Sequence, residues 1–524
     1  MKEVVIKNPI LRGFNPDPVI LRVDNHYYLA VSSFEWLPGI RVYHSDNLVN
    51  WEHATDILTN YNQVDLKGNP KNGSIWAPEL SFFNGKFYCI YTDVKSTDRP
   101  FKDCHNYLIT ASQIEGPWST PIYLNSSGFD PSLFHDQDGR KWLLNEQWDY
   151  RKTTGNKSAG IVMQEFDEKQ AKLIGPIYKI FDGTPLAKTE APHLYLHDDY
   201  YYLLTAEGGT GKGHSVTVCR SKNLFGPYEV DPNYPMLTAK DHPNSPIQCA
   251  GHGSIVQGRT GKWYMAYLMT RPINQEAAIL GRETAIQEIV WTKDHWLHLA
   301  SENTLPASET VIETIDATQQ EKNTNFNDDF TNSCLAKEWN SRRIFPNSSW
   351  CDLKTKPGYL RLISGESLQS HFEQHLLAIR QKDFHFNAYT RFSFDPKTFN
   401  QMAGLTLYLN ENNYLYLFMT FDEKKGKCLR KLHCQNGEFK LEEERITIET
   451  NTISLKVQVD ELRGTFYYRE SESSAWQPFG SSYNLKFLSG GFTGNFVGIC
   501  VQDLGNKAGC FADFSYFNYE GKDA

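Results

Sequence analysis

Short runs in which apolar and polar residues alternate, bounded by Gly, Asn, Asp or Pro, fill this chain almost from end to end. In Lys86-Phe87-Tyr88-Cys89-Ile90-Tyr91-Thr92 the alternation follows Asn84-Gly85, which predicts a strand entered through a hairpin turn. Helical periodicity is weak throughout. One composite pattern recurs five times: a short polar signature, an apolar run, a turn, and a strand that opens with aromatic residues. Its versions are Asp17-Pro18-Val19-Ile20 before His26-Tyr27-Tyr28, Ala77-Pro78-Glu79-Leu80 before Lys86-Phe87-Tyr88, and Asp130-Pro131-Ser132-Leu133 before Lys141-Trp142. Glu190-Ala191-Pro192-His193 before Tyr200-Tyr201-Tyr202 and Gly251-His252-Gly253-Ser254 before Lys262-Trp263-Tyr264 complete the series. Between positions 26, 86, 141, 200 and 262 the intervals are 60, 55, 59 and 62. Strand-and-turn units of this length repeat radially rather than stacking as a helical solenoid. Residues 1–312 are therefore expected to form a five-bladed β-propeller, with the polar residue that opens each unit at one equivalent place around the axis.

A second echo supports the repeat. Ser45-Asp46-Asn47-Leu48-Val49-Asn50-Trp51, Ser112-Gln113-Ile114-Glu115-Gly116-Pro117-Trp118 and Ser221-Lys222-Asn223-Leu224-Phe225-Gly226-Pro227-Tyr228 read as outer-blade turns that end on a packing aromatic. From Glu309 the chain turns polar, and residues 313–327 are expected to be a linker. Alternation resumes in 328–524, as in Tyr414-Leu415-Tyr416-Leu417-Phe418, and predicts an antiparallel β-sandwich, jelly-roll-like. The predicted fold class is all-β.

Composition narrows the chemistry. A chain of 524 residues exceeds one ordinary core, in keeping with two domains. A net charge of −9 without basic runs argues against nucleic acid or an anionic membrane as partner. Met1 to Arg12 lack the apolar centre of a secretory signal, and no window reaches the length of a membrane span. The ten cysteines show neither CxxC nor scaffold spacing and read as reduced thiols, so a soluble cytoplasmic protein is expected. Aromatic residues make up 14%, enough both to fill β cores and to cover sugar rings.

At the openings of the innermost strands, Asp17, Asp130 and Glu190 would converge on one cavity. Crowded carboxylates cannot all ionise alike, so burial and repulsion raise one while a better solvated partner stays charged. Hydrolysis of a glycosidic bond needs that division: one group protonates the leaving oxygen and another activates water. Glu79, one step out of phase, reads as structural. His252 between Gly251 and Gly253 implies close backbone approach at the axis; it is placed to orient a carboxylate or substrate, or to contact a hydrated divalent cation such as calcium. No HxH, HExxH or CxxC marks a dedicated transition-metal site. Phe34, Trp76 and Trp36 are candidate sugar platforms or blade packing, Trp36 leaning to packing. Arg282 could hold sugar hydroxyls through its planar fork or pair with an axial carboxylate.

Six motifs in order carry a resemblance: Asn15-Pro16-Asp17-Pro18, Trp76-Ala77-Pro78-Glu79, Gly128-Phe129-Asp130-Pro131-Ser132-Leu133-Phe134, Thr189-Glu190-Ala191-Pro192-His193, Gly251-His252 and Gly281-Arg282-Glu283-Thr284-Ala285. Together they resemble glycoside hydrolase family 43, and within it the two-domain β-xylosidases, with Gly491-Phe492-Thr493-Gly494 extending the likeness into the second domain. The resemblance implies an inverting enzyme with Asp17 as general base, Glu190 as general acid and Asp130 raising the acid's pKa and helping to position it. Phe34, Trp76, His252 and Arg282 would line the pocket, and Phe492 would close it from a sandwich loop. It implies exo-acting release of D-xylose from short β-1,4-xylo-oligosaccharides, no required cofactor, and a homo-oligomer, dimer or tetramer. Alternatives left open are α-L-arabinofuranosidase activity, alone or in the same pocket, a non-catalytic carbohydrate-binding propeller, and a retaining fructan or sucrose hydrolase.

Overall fold

The computed structural model describes residues 1–97, 100–153, 155–315, 318, 323–506 and 509–523. Five antiparallel sheets surround one axis, each a blade of four main strands in sequence order. Blade 1 is Val19–Val23, His26–Val31, Gly39–Ser45 and Glu52–Leu58; blade 2 is Ser74–Phe83, Lys86–Ser96, Asp103–Ala111 and Ile122–Asn125. Blade 3 is Ser132–His135, Lys141–Trp148, Ser158–Asp167 and Lys172–Phe181. Blade 4 is Glu190–His197, Tyr200–Glu207, Ser215–Ser221 and Glu229–Val230, with Leu237–Thr238 paired beside it. Blade 5 is Gln248–Gln257, Trp263–Thr270, Glu283–Trp291 and Leu297–Leu299. Blade 1's inner strand packs against those of blades 2 and 5, which closes the circle. In each echoed turn the closing aromatic bonds back to a carbonyl three or four residues earlier: Trp51 Nε1 donates to Leu48 O at 3.0 Å, Trp118 Nε1 to Ile114 O at 3.1 Å, and Tyr228 Oη to Leu224 O at 2.9 Å.

The flanks of the propeller join each other. Lys2–Lys7 pairs antiparallel with Glu309–Thr314, so Glu313 and Thr314, at the start of the predicted linker, lie in a strand. Residues 316, 317 and 319–322 of that linker lie outside the described residues. Phe326–Asp328 already pairs with Phe517–Tyr519 of the second domain. That domain is a sandwich of a nine-stranded and a seven-stranded antiparallel sheet. In His385–Ser393 every second residue is buried, as a strand with one face on a core requires. Phe386, Leu405, Leu417, Val457, Val497 and Phe514 fill the space between the sheets. Among the described residues there is no α-helix, and no helix is long and apolar enough to cross a membrane.

The sandwich is bolted to blade 1. Ser341–Arg342 pairs with Trp36–Leu37, and the Trp36 ring stacks on Phe496 at 3.7 Å. Trp36 is thus packing between domains. Arg342 and Arg343 are buried with Glu35 and Glu411: Arg342 Nη1 lies 2.8 Å from Glu411 Oε2 and Nη2 lies 3.2 Å from Glu35 Oε1. Buried charges are tolerated only when paired in this way. Arg380 Nε donates to Phe14 O at 2.8 Å, just ahead of Asp17.

Candidate active site

At the mouth of every blade, the non-glycine residue at one equivalent place of the inner segment adopts left-handed backbone geometry: Asp17 (φ 54°), Ala77 (26°), Asp130 (51°), Ala191 (50°) and His252 (54°). Each costs on the order of 1–2 kcal/mol, so a strain repeated five times marks a constraint common to the blades. It also fixes the phase of the acids. Asp17 and Asp130 are equivalent, but Glu190 stands one residue earlier, level with Trp76 and Phe129. The expectation that the opening acids share one equivalent place is corrected here. Irregular pairing between Glu190 and His193, and between Trp76 and Glu79, interrupts the pleat where the left-handed alanines sit. Once alternation is broken, a residue on either side of the bend can face the axis.

Local bonds hold the Asp17 and Glu190 segments in place. Asn15 N donates to Arg282 O at 2.9 Å and Thr284 Oγ1 to Asn15 O at 2.6 Å, tying the Asp17 segment to blade 5, while Tyr43 Oη of blade 1 donates to Asn15 Oδ1 at 2.7 Å. Asp17 Oδ2 accepts from Ser32 Oγ at 2.6 Å, and Oδ1 accepts from Arg282 Nη1 at 2.7 Å. The segment before Glu190 hangs from buried Glu207, which accepts from the hydroxyls of Thr189 at 2.8 Å, Thr184 at 2.6 Å and Thr217 at 2.7 Å.

These elements enclose a cavity of about 190 Å³ lined by Asp17, Asp130, Glu190, Phe34, Trp76, His252, Arg282 and Phe492, so all eight residues singled out in the sequence meet there. The cavity is smaller than the roughly 300–1,000 Å³ usual for a drug-sized ligand. Lys102, Phe129, Trp148, Asn156, Lys188, Gly209 and Thr210 complete the wall. Phe129 stands in a motif recognised in the sequence, but Lys102 and Trp148 carry no such signal. Lys102 Nζ lies 4.2 Å from the Trp148 ring centre, 4.4 Å from Phe129 and 5.1 Å from Trp76, a cation among three ring faces. Glu79 stays outside the cavity, 3.1 Å from His193 Nδ1.

Phe492 arrives from the sandwich, ahead of strand Phe496–Asp503. Its N–H donates to Asn72 Oδ1 at 3.2 Å and its carbonyl accepts from Arg282 Nε at 3.0 Å. Gly281 (φ 76°) makes the approach possible, since a Cβ there would fall 2.5 Å from Gly494 Cα. The glycines beside His252 serve differently from the expected backbone contact. A Cβ on Gly251 would lie 2.2 Å from the His214 ring, and one on Gly253 would lie 2.6 Å from Met265 sulfur, so side chains occupy those spaces.

The electrostatics divide the acids. Burial pushes Asp17 up, but Arg282, His252 and the Ser32 hydrogen bond outweigh it and leave its carboxyl below the usual range. Burial, then the charges of Glu190, Asp17 and Glu146, hold Asp130 well above it. Burial lifts Glu190 to about 7; Lys102, Arg282 and Lys188 pull against the rise while Asp17 adds to it. Burial lowers His252 to about 3, so the ring is neutral beside Asp17, with Nδ1 3.6 Å from Oδ1. His193 is the next ring along the axis, 6.4 Å from His252 centre to centre. Among the described residues, these axial groups do not bring three His, Cys, Asp or Glu atoms together at metal-ligand spacing.

Two family models match the chain: "Glycosyl hydrolases family 43" over residues 6–297 and "Beta xylosidase C-terminal Concanavalin A-like domain" over residues 327–520. A beta-xylosidase of Bacillus subtilis (strain 168) is 44% identical over 99% of this chain and 100% of its own length. Xylosidase/arabinosidase 43B of Humicola insolens is 43% identical over 98% of this chain and 97% of its own. The crystal structure of xylan beta-1,4-xylosidase from Bacillus halodurans C-125 superposes with a TM-score of 0.96 at 46% identity, covering 98% of this chain and 100% of that one. With its propeller matched to the first model, its sandwich to the second and relatives alike from end to end, this chain belongs to glycosyl hydrolase family 43.

Proposed function

We propose that the protein is an exo-acting, inverting β-xylosidase that removes D-xylose from the non-reducing ends of short β-1,4-xylo-oligosaccharides. The observation that carries this reading is the opposed protonation of two acids in one small cavity, Asp17 held ionised and Glu190 held protonated up to about pH 7. The names of full-length relatives support the choice of sugar.

In this scheme the terminal xylose lies between Phe34, Trp76 and Phe492. Asp17, whose oxygens have lone pairs to spare beyond Arg282 and Ser32, takes a proton from a water as its oxygen attacks the anomeric carbon. Glu190 gives its proton to the glycosidic oxygen, so the bond breaks with the electron pair on a neutral leaving alcohol. The attack comes from the face opposite the leaving group and inverts the anomeric centre. Asp130, whose own carboxyl is held well above the usual range by burial and by Glu190, acts as a positioning residue in the same cavity. No step passes through a cation or a redox cofactor. The phenyl wall contributed by Phe492 favours a chain end over the interior of a polymer. A cytoplasmic site of action belongs to the same proposal, because substrates this short can be taken up before cleavage.

A second reading, α-L-arabinofuranosidase activity in the same cavity, is favoured by relatives named xylosidase/arabinosidase. Chromatography of xylotriose digests, alongside aryl β-D-xyloside and aryl α-L-arabinofuranoside turnover, separates the readings. Xylose and xylobiose as first products support the proposal. Turnover of the arabinofuranoside alone would replace it with the second reading, and binding without turnover of either would leave a carbohydrate-binding propeller.

A further inference from the structure

At the far end of the inner strand from Asp17, blade 1 carries a cluster for which the sugar chemistry has no use. Strands His26–Val31 and Gly39–Ser45 run antiparallel with Tyr28 opposite His44 and Tyr27 opposite Ser45. Alternation therefore puts His26, Tyr28, His44 and the following Asp46 on one face of the sheet. Glu52 lies opposite His44 on the outermost strand.

Three atoms meet on that face. His26 Nδ1 is 2.7 Å from Asp46 Oδ1 and 3.0 Å from His44 Nε2, and His44 Nε2 is 3.3 Å from Asp46 Oδ1. A neutral His26 has one N–H, which cannot serve both of its short contacts well. A cation at the centre would satisfy all three atoms. Bonds of about 2.0–2.2 Å at tetrahedral angles place neighbouring ligand atoms about 3.3 Å apart, near the edges of this triangle. The remaining nitrogen of His44, Nδ1, faces Glu52 Oε1 at 3.6 Å, the kind of outer carboxylate that fixes the ring and tautomer of a ligating histidine. Tyr28 packs 5.5 Å from the His44 ring and limits its rotation.

We propose that His26, His44 and Asp46 form a binding site for a divalent first-row transition ion, zinc fitting best, with water completing a tetrahedron. Two imidazole nitrogens and one carboxylate oxygen suit zinc, nickel or copper better than calcium or magnesium, which prefer oxygen donors. The ion would staple the start of one strand to the turn after the next, stabilising blade 1 without touching the cavity. Because sheet register brings His26 from one strand to His44 and Asp46 at the end of another, the full set leaves no short motif in the sequence.

Titration of zinc chloride into the metal-free full-length protein, followed by calorimetry, tests the site against His26→Ala, Asp46→Ala and Glu52→Gln. The expected result is one strong zinc site in the parent, weakened about 10-fold or more by either ligand substitution and about 10-fold by Glu52→Gln. Zinc should raise the unfolding midpoint of the parent and not that of His26→Ala, while all four proteins hydrolyse an aryl glycoside alike in the absence of metal. The ligands are partly exposed, so circular dichroism should find the variants folded. Equal zinc affinity in parent and ligand variants would overturn the proposal by placing the ion on other histidines or cysteines. Absence of binding to the parent at millimolar zinc would overturn it as well.

Discussion

Arg282 grips both oxygens of Asp17, with Nη1 at 2.7 Å from Oδ1 and Nη2 at 3.4 Å from Oδ2. The same guanidinium donates through Nε to the Phe492 carbonyl. One side chain from blade 5 thus joins the ionised acid of blade 1 to the loop that the second domain sends into the cavity. The geometry accounts for a two-domain enzyme: the sandwich finishes the wall of the cavity and is itself held by the charge that keeps Asp17 ionised.

Removing that charge should be visible in the pH profile. Arg282→Met removes the largest influence opposing the burial of Asp17 and leaves the weaker ones of His252, the Ser32 hydrogen bond and His214. The acidic limb of kcat/KM should then move upward by about 1–3 units. An acidic limb unchanged from the parent would mean that Asp17 does not govern it.

Asp17→Asn keeps the shape of the side chain and removes the proposed base. Turnover of xylobiose should fall by about 10²–10⁴-fold while calorimetry still detects xylobiose binding. Turnover near that of the parent would remove Asp17 from the role of base.

As the proposed acid, Glu190 would act only when protonated, and its carboxyl is lifted to about 7, so activity should be present below that pH and decline as pH rises through it. Glu190→Gln should abolish this basic limb and slow xylobiose cleavage by about 10²–10⁴-fold. An aryl xyloside with a good leaving group, which needs little protonation, should lose far less. Equal losses on the two substrates would contradict an acid role for Glu190.

The close approach of the domains can be tested at Gly494, where a Cβ would fall 2.4 Å from the Leu280 carbonyl oxygen. Gly494→Ala should destabilise the protein by about 1–3 kcal/mol and raise KM by displacing Phe492. A variant with parental melting temperature and KM would show that the loop does not depend on this contact.

The blades were legible because their signals are local: turn residues, strand alternation and a repeated Asp-Pro or Ala-Pro opening. Asp17, Asp130 and Glu190 stood out for the same reason. The phase of Glu190 was also present, since Ala191-Pro192 aligns with Asp17-Pro18 and Asp130-Pro131, but reading by acid type placed Glu190 level with Asp17 and hid the one-residue step. Lys102 and Trp148 reach the cavity from an irregular segment and from the end of a second strand, positions fixed by tertiary packing. Glu313 and Thr314 read as linker because their strand partner, Lys2–Lys7, lies at the other end of the domain. The His26, His44 and Asp46 cluster is likewise a product of register across strands.

Proton NMR of xylobiose hydrolysis in the first minutes, before mutarotation, tests the central claim most directly. The paired roles of Asp17 and Glu190 predict that α-xylose appears first from the β-linked substrate. β-Xylose as the first product would mean retention through a covalent intermediate and would contradict those roles.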